Sequence, residues 1–159
     1  QDGICGIRAN GLMYCLGNAS SGQLGDGGWT SSDYMQLTND SDCSAGGGDI
    51  WRDVDRGASH ACAIKSDGTM WCWGRAVEGQ AGNNDAGAGG GDGNNGNNYC
   101  MHQVLNDTGG AGWSDWVSVS ADYEWTCGGR ANGTVWCWGL DMSADFSGNA
   151  NLPVEVPSQ

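Results

Sequence analysis

Three segments of this chain carry the same cysteine pair around the same turn. They read CGIRANGLMYCLG from Cys5, CAIKSDGTMWCWG from Cys62 and CGGRANGTVWCWG from Cys127. Trp51-Arg52-Asp53-Val54 and Trp116-Val117-Ser118-Val119 stand eleven residues ahead of the second and third blocks. Gly22-Gln23-Leu24-Gly25 and Gly79-Gln80-Ala81-Gly82 follow the first and second. The first cysteines are 57 and then 65 residues apart. Such self-similarity is the mark of stacked supersecondary units, each too small to bury its own apolar face. The chain therefore reads as one repeat domain over 1–159, with repeats at 1–49, 50–111 and 112–159.

Each block contains Asn-Gly or Asp-Gly between alternating residues, the strongest short hairpin signal. A three-residue loop Ser66-Asp67-Gly68, with Gly68 left-handed, pairs Lys65 with Thr69, Ile64 with Met70, Ala63 with Trp71 and Cys62 with Cys72. In a non-hydrogen-bonded pair the two cysteines come within disulfide reach, at about 4.5 Å between Cα atoms. The same loop sets Cys5 opposite Cys15 and Cys127 opposite Cys137. Three cross-strand disulfides are predicted, each contributing roughly 2–3 kcal/mol. Cys43 and Cys100 lie in the connections after repeats one and two. They either pair with each other or bond another chain.

A disulfide framework also fits the composition. Leu, Ile, Val and Phe number only 20 of 159 residues, and the net charge is -13, a balance found in disordered chains. Nine Trp and eight Cys offset it, through large buried rings and covalent cross-links. No C-x2-C is present and there are only two His, so the cysteines do not resemble a zinc site. Six Lys and Arg against 19 Asp and Glu argue against nucleic acid as a partner, since phosphates need cations. No apolar run approaches the length of a membrane span. Disulfides imply an oxidising, extracellular location, and a start at Gln1 reads as a mature form whose leader was removed.

Four N-x-S/T sequons agree with secretion: Asn18, Asn39, Asn106 and Asn132. Asn132 falls at a hairpin tip and Asn18 just after a strand. Gln36-Leu37-Thr38-Asn39 matches Gln103-Val104-Leu105-Asn106, which places two sequons at one expected structural position. N-linked glycans are the expected modification. The segment Asn83–Asn98, rich in Gly and Asn, reads as an extended loop. Asp85 and Asp92 within it offer oxygen ligands for Ca²⁺, but the spacing fits no calcium repeat.

The string SHACAIKSDGTMWCWGRAVEGQAG resembles the repeat of the regulator-of-chromosome-condensation family, especially its cysteine-containing secreted branch. The matching positions are Gly57, His60, Asp67-Gly68, Cys72-Trp73-Gly74 and Gly79-Gln80-Ala81-Gly82. Repeat one keeps Cys15-Leu16-Gly17 and Gly22-Gln23-Leu24-Gly25. Repeat three keeps Cys137-Trp138-Gly139 but shows Ala144-Asp145-Phe146-Ser147 in place of the Gly-Gln motif. The resemblance implies an all-β fold of four-stranded propeller blades, usually seven. About three imperfect repeats are present, and the first lacks the Trp-x-x-Val strand before Cys5. Such a set leaves sheet edges that neighbouring copies are expected to close, as a ring or filament; a shortened form of a longer protein is the alternative.

No catalytic or cofactor site emerges. His60 matches the family's structural histidine. His102 lies beside Cys100 in a connection, where a nucleophile would need a free thiol. The carboxylates form no recognisable pair, and the Gly-rich stretches lack a phosphate-loop Lys. Trp71, Trp73, Trp136 and Trp138 alternate along predicted strands and are expected to fill the thin core, with sugar stacking as the other reading. Two functions follow: an extracellular structural glycoprotein built by blade sharing between copies, or a secreted module that binds a protein or carbohydrate.

Overall fold

The computed structural model describes residues 3–38, 48–84, 96–140 and 149–157. They form eleven strands in three antiparallel sheets. Blade one contains β1 (Gly3–Ile7), β2 (Met13–Gly17) and β3 (Ser32–Leu37). Blade two contains β4 (Trp51–Arg56), β5 (His60–Lys65), β6 (Met70–Arg75) and β7 (Asn97–Gln103). Blade three contains β8 (Trp116–Ala121), β9 (Trp125–Arg130), β10 (Val135–Gly139) and β11 (Ala150–Glu155). Each sheet runs in simple sequence order. Blade one has no counterpart of β4 and β8 among the described residues.

The hairpins obey the turn chemistry. Ile64 pairs with Met70, Ala63 with Trp71 and Cys62 with Cys72, while the Lys65 N–H donates to the Thr69 carbonyl. Gly11, Gly68 and Gly133 take φ of 81°, 86° and 86°, values that an L side chain resists. Cys5–Cys15, Cys62–Cys72 and Cys127–Cys137 are disulfides, each with Cα atoms 4.1 Å apart.

Because strand residues alternate between faces, each blade has one face toward its predecessor and one toward its successor. Cys5, Ile7, Met13 and Cys15 of blade one pack against Ala61, Ala63, Trp71 and Trp73 of blade two. Cys62, Ile64, Met70 and Cys72, on the far face of blade two, pack against Trp116, Trp136 and Trp138 of blade three. The apolar core is thus two interblade layers in which indoles and disulfides stand in for the missing aliphatics.

Three expectations need correction. Cys100 and His102 lie within β7, not in a connection; His102 opposes Cys72 on β6. Asn97 and Asn98 also belong to β7, so the Gly- and Asn-rich segment gives way to strand before its expected end. The two sequon stretches are offset by one residue in the ladder. Leu37 opposes Tyr14 while Gln103 opposes Trp71, and the N–H groups of Thr38 and Val104 reach the equivalent carbonyls of Met13 and Met70. Asn39 itself and Cys43 lie outside the described residues, as do Asp85 and Asp92.

Candidate functional site

The blades are joined by a device that the Gly-Gln-x-Gly motif builds. Its chain turns so that the Gln carbonyl points at the next blade. Trp73 Nε1 donates to the Gln23 carbonyl at 3.0 Å, and Trp138 Nε1 to the Gln80 carbonyl at 2.9 Å. The Gln side chains stabilise the turn from inside. Gln23 Oε1 accepts from the Ser21 N–H, and Gln80 Oε1 from the Glu78 N–H. Glu78 also accepts from Gln80 Nε2 and pairs with Arg75, which holds its carboxyl below the ordinary range.

The last glycine is required because the indole lies against it. Gly82 has φ 62°, and a Cβ there would stand 2.7 Å from Trp138 Nε1. Gly82→Ala is expected to cost about 2 kcal/mol, from backbone strain and displacement of the ring. Thermal or denaturant unfolding checks this, with Gly28→Ala, at an open position of ordinary φ, as control. The latch serves both internal junctions. Repeat one offers Leu16, whose side chain has no N–H, and repeat three lacks the Gly-Gln motif.

Two further bridges join blades two and three. Asp53 and Asp55 on β4 accept the N–H groups of Val119 and Ala121 on β8, at 3.3 and 2.8 Å. Thr126 Oγ1 donates to the Gln80 carbonyl at 3.0 Å, so it accepts from His60 Nε2 at 2.8 Å. That arrangement assigns the hydrogen to Nε2 and leaves Nδ1 buried without a partner. His60 is completely buried, and burial, opposed by Asp55, pushes its pKa down to about 4. Its place is in an interblade hydrogen-bond chain, out of reach of any substrate. Cys100 is disulfide-bonded, so it offers His102 no free thiol. Among the described residues no three His, Cys, Asp or Glu side chains converge as metal ligands.

The tryptophans singled out in the sequence are mostly covered. Trp73 and Trp138 are fully buried, Trp136 nearly so, and Trp71 lies under the Lys65 ammonium at 4.6 Å. The exposed rings are ones the repeat pattern did not flag: Trp29 at 65%, Tyr34 at 79% and Tyr123 at 61%. Trp29 stacks at 5.5 Å on Tyr99. Tyr123, Asn18, Ser20, Ser21 and Ser59 border a polar depression of about 210 Å³.

The larger surface features are the two ends of the stack. Met70 is 0% exposed under blade three, whereas its counterpart Val135 is 45% exposed. Cys127 and Cys137 are half-buried where Cys62 and Cys72 are sealed. A depression of about 230 Å³ opens there, between Val119, Cys127, Gly129 and Val135. At the other end Ile4 is 61% exposed where its counterpart Ala61 is 0% exposed. Asn18, Asn106 and Asn132 each direct Oδ1 into a local turn, Asn132 accepting from the N–H and hydroxyl of Thr134.

Residues 51–80 match the Regulator of chromosome condensation (RCC1) repeat. This stretch is a repeat of the regulator-of-chromosome-condensation type. The match spans β4 to the Gly-Gln turn, the stretch from which the latch is made. Solved structures share the fold of the whole chain. The crystal structure of human WBSCR16 matches with TM-score 0.77 and 17% identity, over 99% of this chain and 36% of that one. A crystal structure of Kap60 bound to yeast RCC1 (Prp20) matches with TM-score 0.76 and 14% identity, over 100% and 36%. Prp20p from Saccharomyces cerevisiae, described with its binding properties to Gsp1p and histones, matches with TM-score 0.71 and 15% identity, over 100% and 37%. The chain thus spans little more than a third of these RCC1-like propellers. No curated protein matches it. Among the described residues no helix is long and apolar enough to cross a membrane.

Proposed function

We infer that the chain is a propeller-type interaction module, which acts by docking blade faces on other macromolecules and not by catalysis. One observation carries this reading: the far face of blade three, equivalent to a face that blade two buries completely, is open at Val135, Cys127 and Cys137. The RCC1-type fold agrees with it, since propellers of this type include proteins described with bound or binding partners. The first partner we propose is another copy of the chain and, from that, a structural assembly such as a fibre or coat. Val135→Arg places a charge in the face and is expected to dissolve such assemblies. Light scattering of the purified chain should give a mass above the monomer for the unmodified protein and the monomer mass for the variant. Equal masses for the two remove the self-assembly reading and leave a foreign partner.

The location we propose is extracellular, with N-linked glycans on the four sequons. Asn132, exposed at the β9–β10 turn, is the sequon whose occupancy is most directly tested. Asn132→Gln in a secreting eukaryotic host is expected to lower the intact mass by one glycan, an increment that peptide-N-glycosidase also removes. An unchanged mass would contradict occupancy of this site.

A further inference from the structure

The two internal junctions share the indole latch but differ beside it. In blade two the residue opposite Gly74 is His60, whereas in blade one the residue opposite Gly17 is Gly3. The partner of His60 is Thr126, opposite Trp138, and the counterpart of Thr126 in blade two is Ala61, opposite Trp73. An imidazole is therefore built into the junction of blades two and three and not into that of blades one and two. It fits closely: a Cβ on Gly57 would stand 3.0 Å from the ring Cε1, and one on Gly74 3.4 Å from the His60 Cβ. Nε2 donates to Thr126 Oγ1, which donates in turn to the Gln80 carbonyl, the oxygen that also holds the Trp138 indole. Nδ1 is buried without a partner. Of the charged groups on the surrounding elements, Asp55 on β4 favours the cation and is outweighed by burial. Asp53 is bonded to the Val119 N–H, and Arg56 reaches the Asn18 carbonyl of blade one. Arg75 on β6 is taken by Glu78 and Glu124, and Asp122 turns its backbone carbonyl over Gly57.

We propose that the junction of blades two and three is a seam opened by acid, at which a proton on His60 Nδ1 releases the Gln80 latch and uncovers the apolar layer between the blades, while the junction of blades one and two stays closed. An imidazolium brings two N–H donors to a site with one acceptor. A charged donor left unpaired in a sealed site is costly, so the ring takes its proton by moving to water. Thr126 and the Gln80 carbonyl then lose their shared bonds. Cys62, Ile64, Met70 and Trp116, all fully buried in the closed junction, become accessible to an apolar partner. The open state binds the proton near pH 6.5 and the closed state only near pH 4. Opening therefore increases as the pH falls between those values and levels off below them.

The indole N–H groups of Trp73 and Trp138 are matched reporters of the two junctions, one bonded to the Gln23 carbonyl and the other to the Gln80 carbonyl. Their exchange with deuterated water is followed by NMR on the full chain at neutral pH and two pH units lower, each rate divided by that of a free indole at the same pH. The opening constant at Trp138 is expected to rise about twentyfold, and that at Trp73 by less than about threefold. His60→Gln keeps a side-chain N–H for Thr126 and takes up no proton, so it should abolish the rise at Trp138. The contrast between the two indoles is read in the unmodified protein and stands whether or not that variant folds. No rise at Trp138, equal rises at both indoles, or a rise at Trp138 that survives in His60→Gln overturns the proposal.

Discussion

Trp73→Ala is expected to be among the most damaging single substitutions in the chain, at about 4 kcal/mol. The ring is fully buried between blades one and two, and deletion of a buried aromatic side chain costs about 3–5 kcal/mol. Two interactions fail with it: the bond from Nε1 to the Gln23 carbonyl and the packing against Trp51. Trp73→Phe separates them, because it keeps most of the volume and leaves the carbonyl unpaired. The loss should then fall to about 1–3 kcal/mol. Denaturant unfolding of the two variants measures both. Blade one should detach before blade two in Trp73→Ala, visible as early hydrogen exchange in β1 and β2. Losses below about 1 kcal/mol for Trp73→Ala would contradict the latch.

The second large effect is acid destabilisation through His60. In the unfolded chain its imidazole titrates near 6.5; in the folded chain burial pushes the value to about 4. Between those limits the unfolded state binds a proton that the folded state refuses, so stability falls as the pH falls. The contribution is fully present above pH 6.5 and exhausted below about pH 4. The difference amounts to about 3 kcal/mol over the window. The structural reason is specific: Nε2 already donates to Thr126, and the second proton would sit on Nδ1 where no acceptor waits. The carboxyls of Asp67 and Glu78, held low by Thr69 and Arg75, lose their contributions only at lower pH. His60→Gln should therefore flatten the stability profile between pH 6.5 and about 4.5. An unchanged slope in that variant would assign the acid sensitivity elsewhere.

How much of this could be read from the sequence depended on the range of the interaction. Hairpin register was legible because the Asp67-Gly68 turn fixes it locally, and the opposition of Cys62 and Cys72 follows without knowledge of any neighbour. The blade architecture was legible through the repeat. What the pattern left open was set between blades. Trp71 and Trp73 look alike in the sequence, yet one lies under Lys65 and the other is sealed by Gln23. The Gln-x-x-Asn stretches share residues but not register, since the ladder counts from Tyr14 and Trp71 and not from the glutamines. Cys100 and His102 read as a connection because the Gly- and Asn-rich segment before them masked the start of β7. The open faces, finally, are visible only by comparing Met70 with Val135, two similar side chains distinguished by whether a blade covers them.

The central claim is that the far face of blade three is a working contact surface. Electron cryomicroscopy of the native, non-reduced material tests it directly, because the position of Val135 can be located within any particle. The account predicts density packed over Val135, Gly129 and the Cys127–Cys137 bridge, from another copy of the chain or a bound partner. That face turned to solvent in every particle would contradict it.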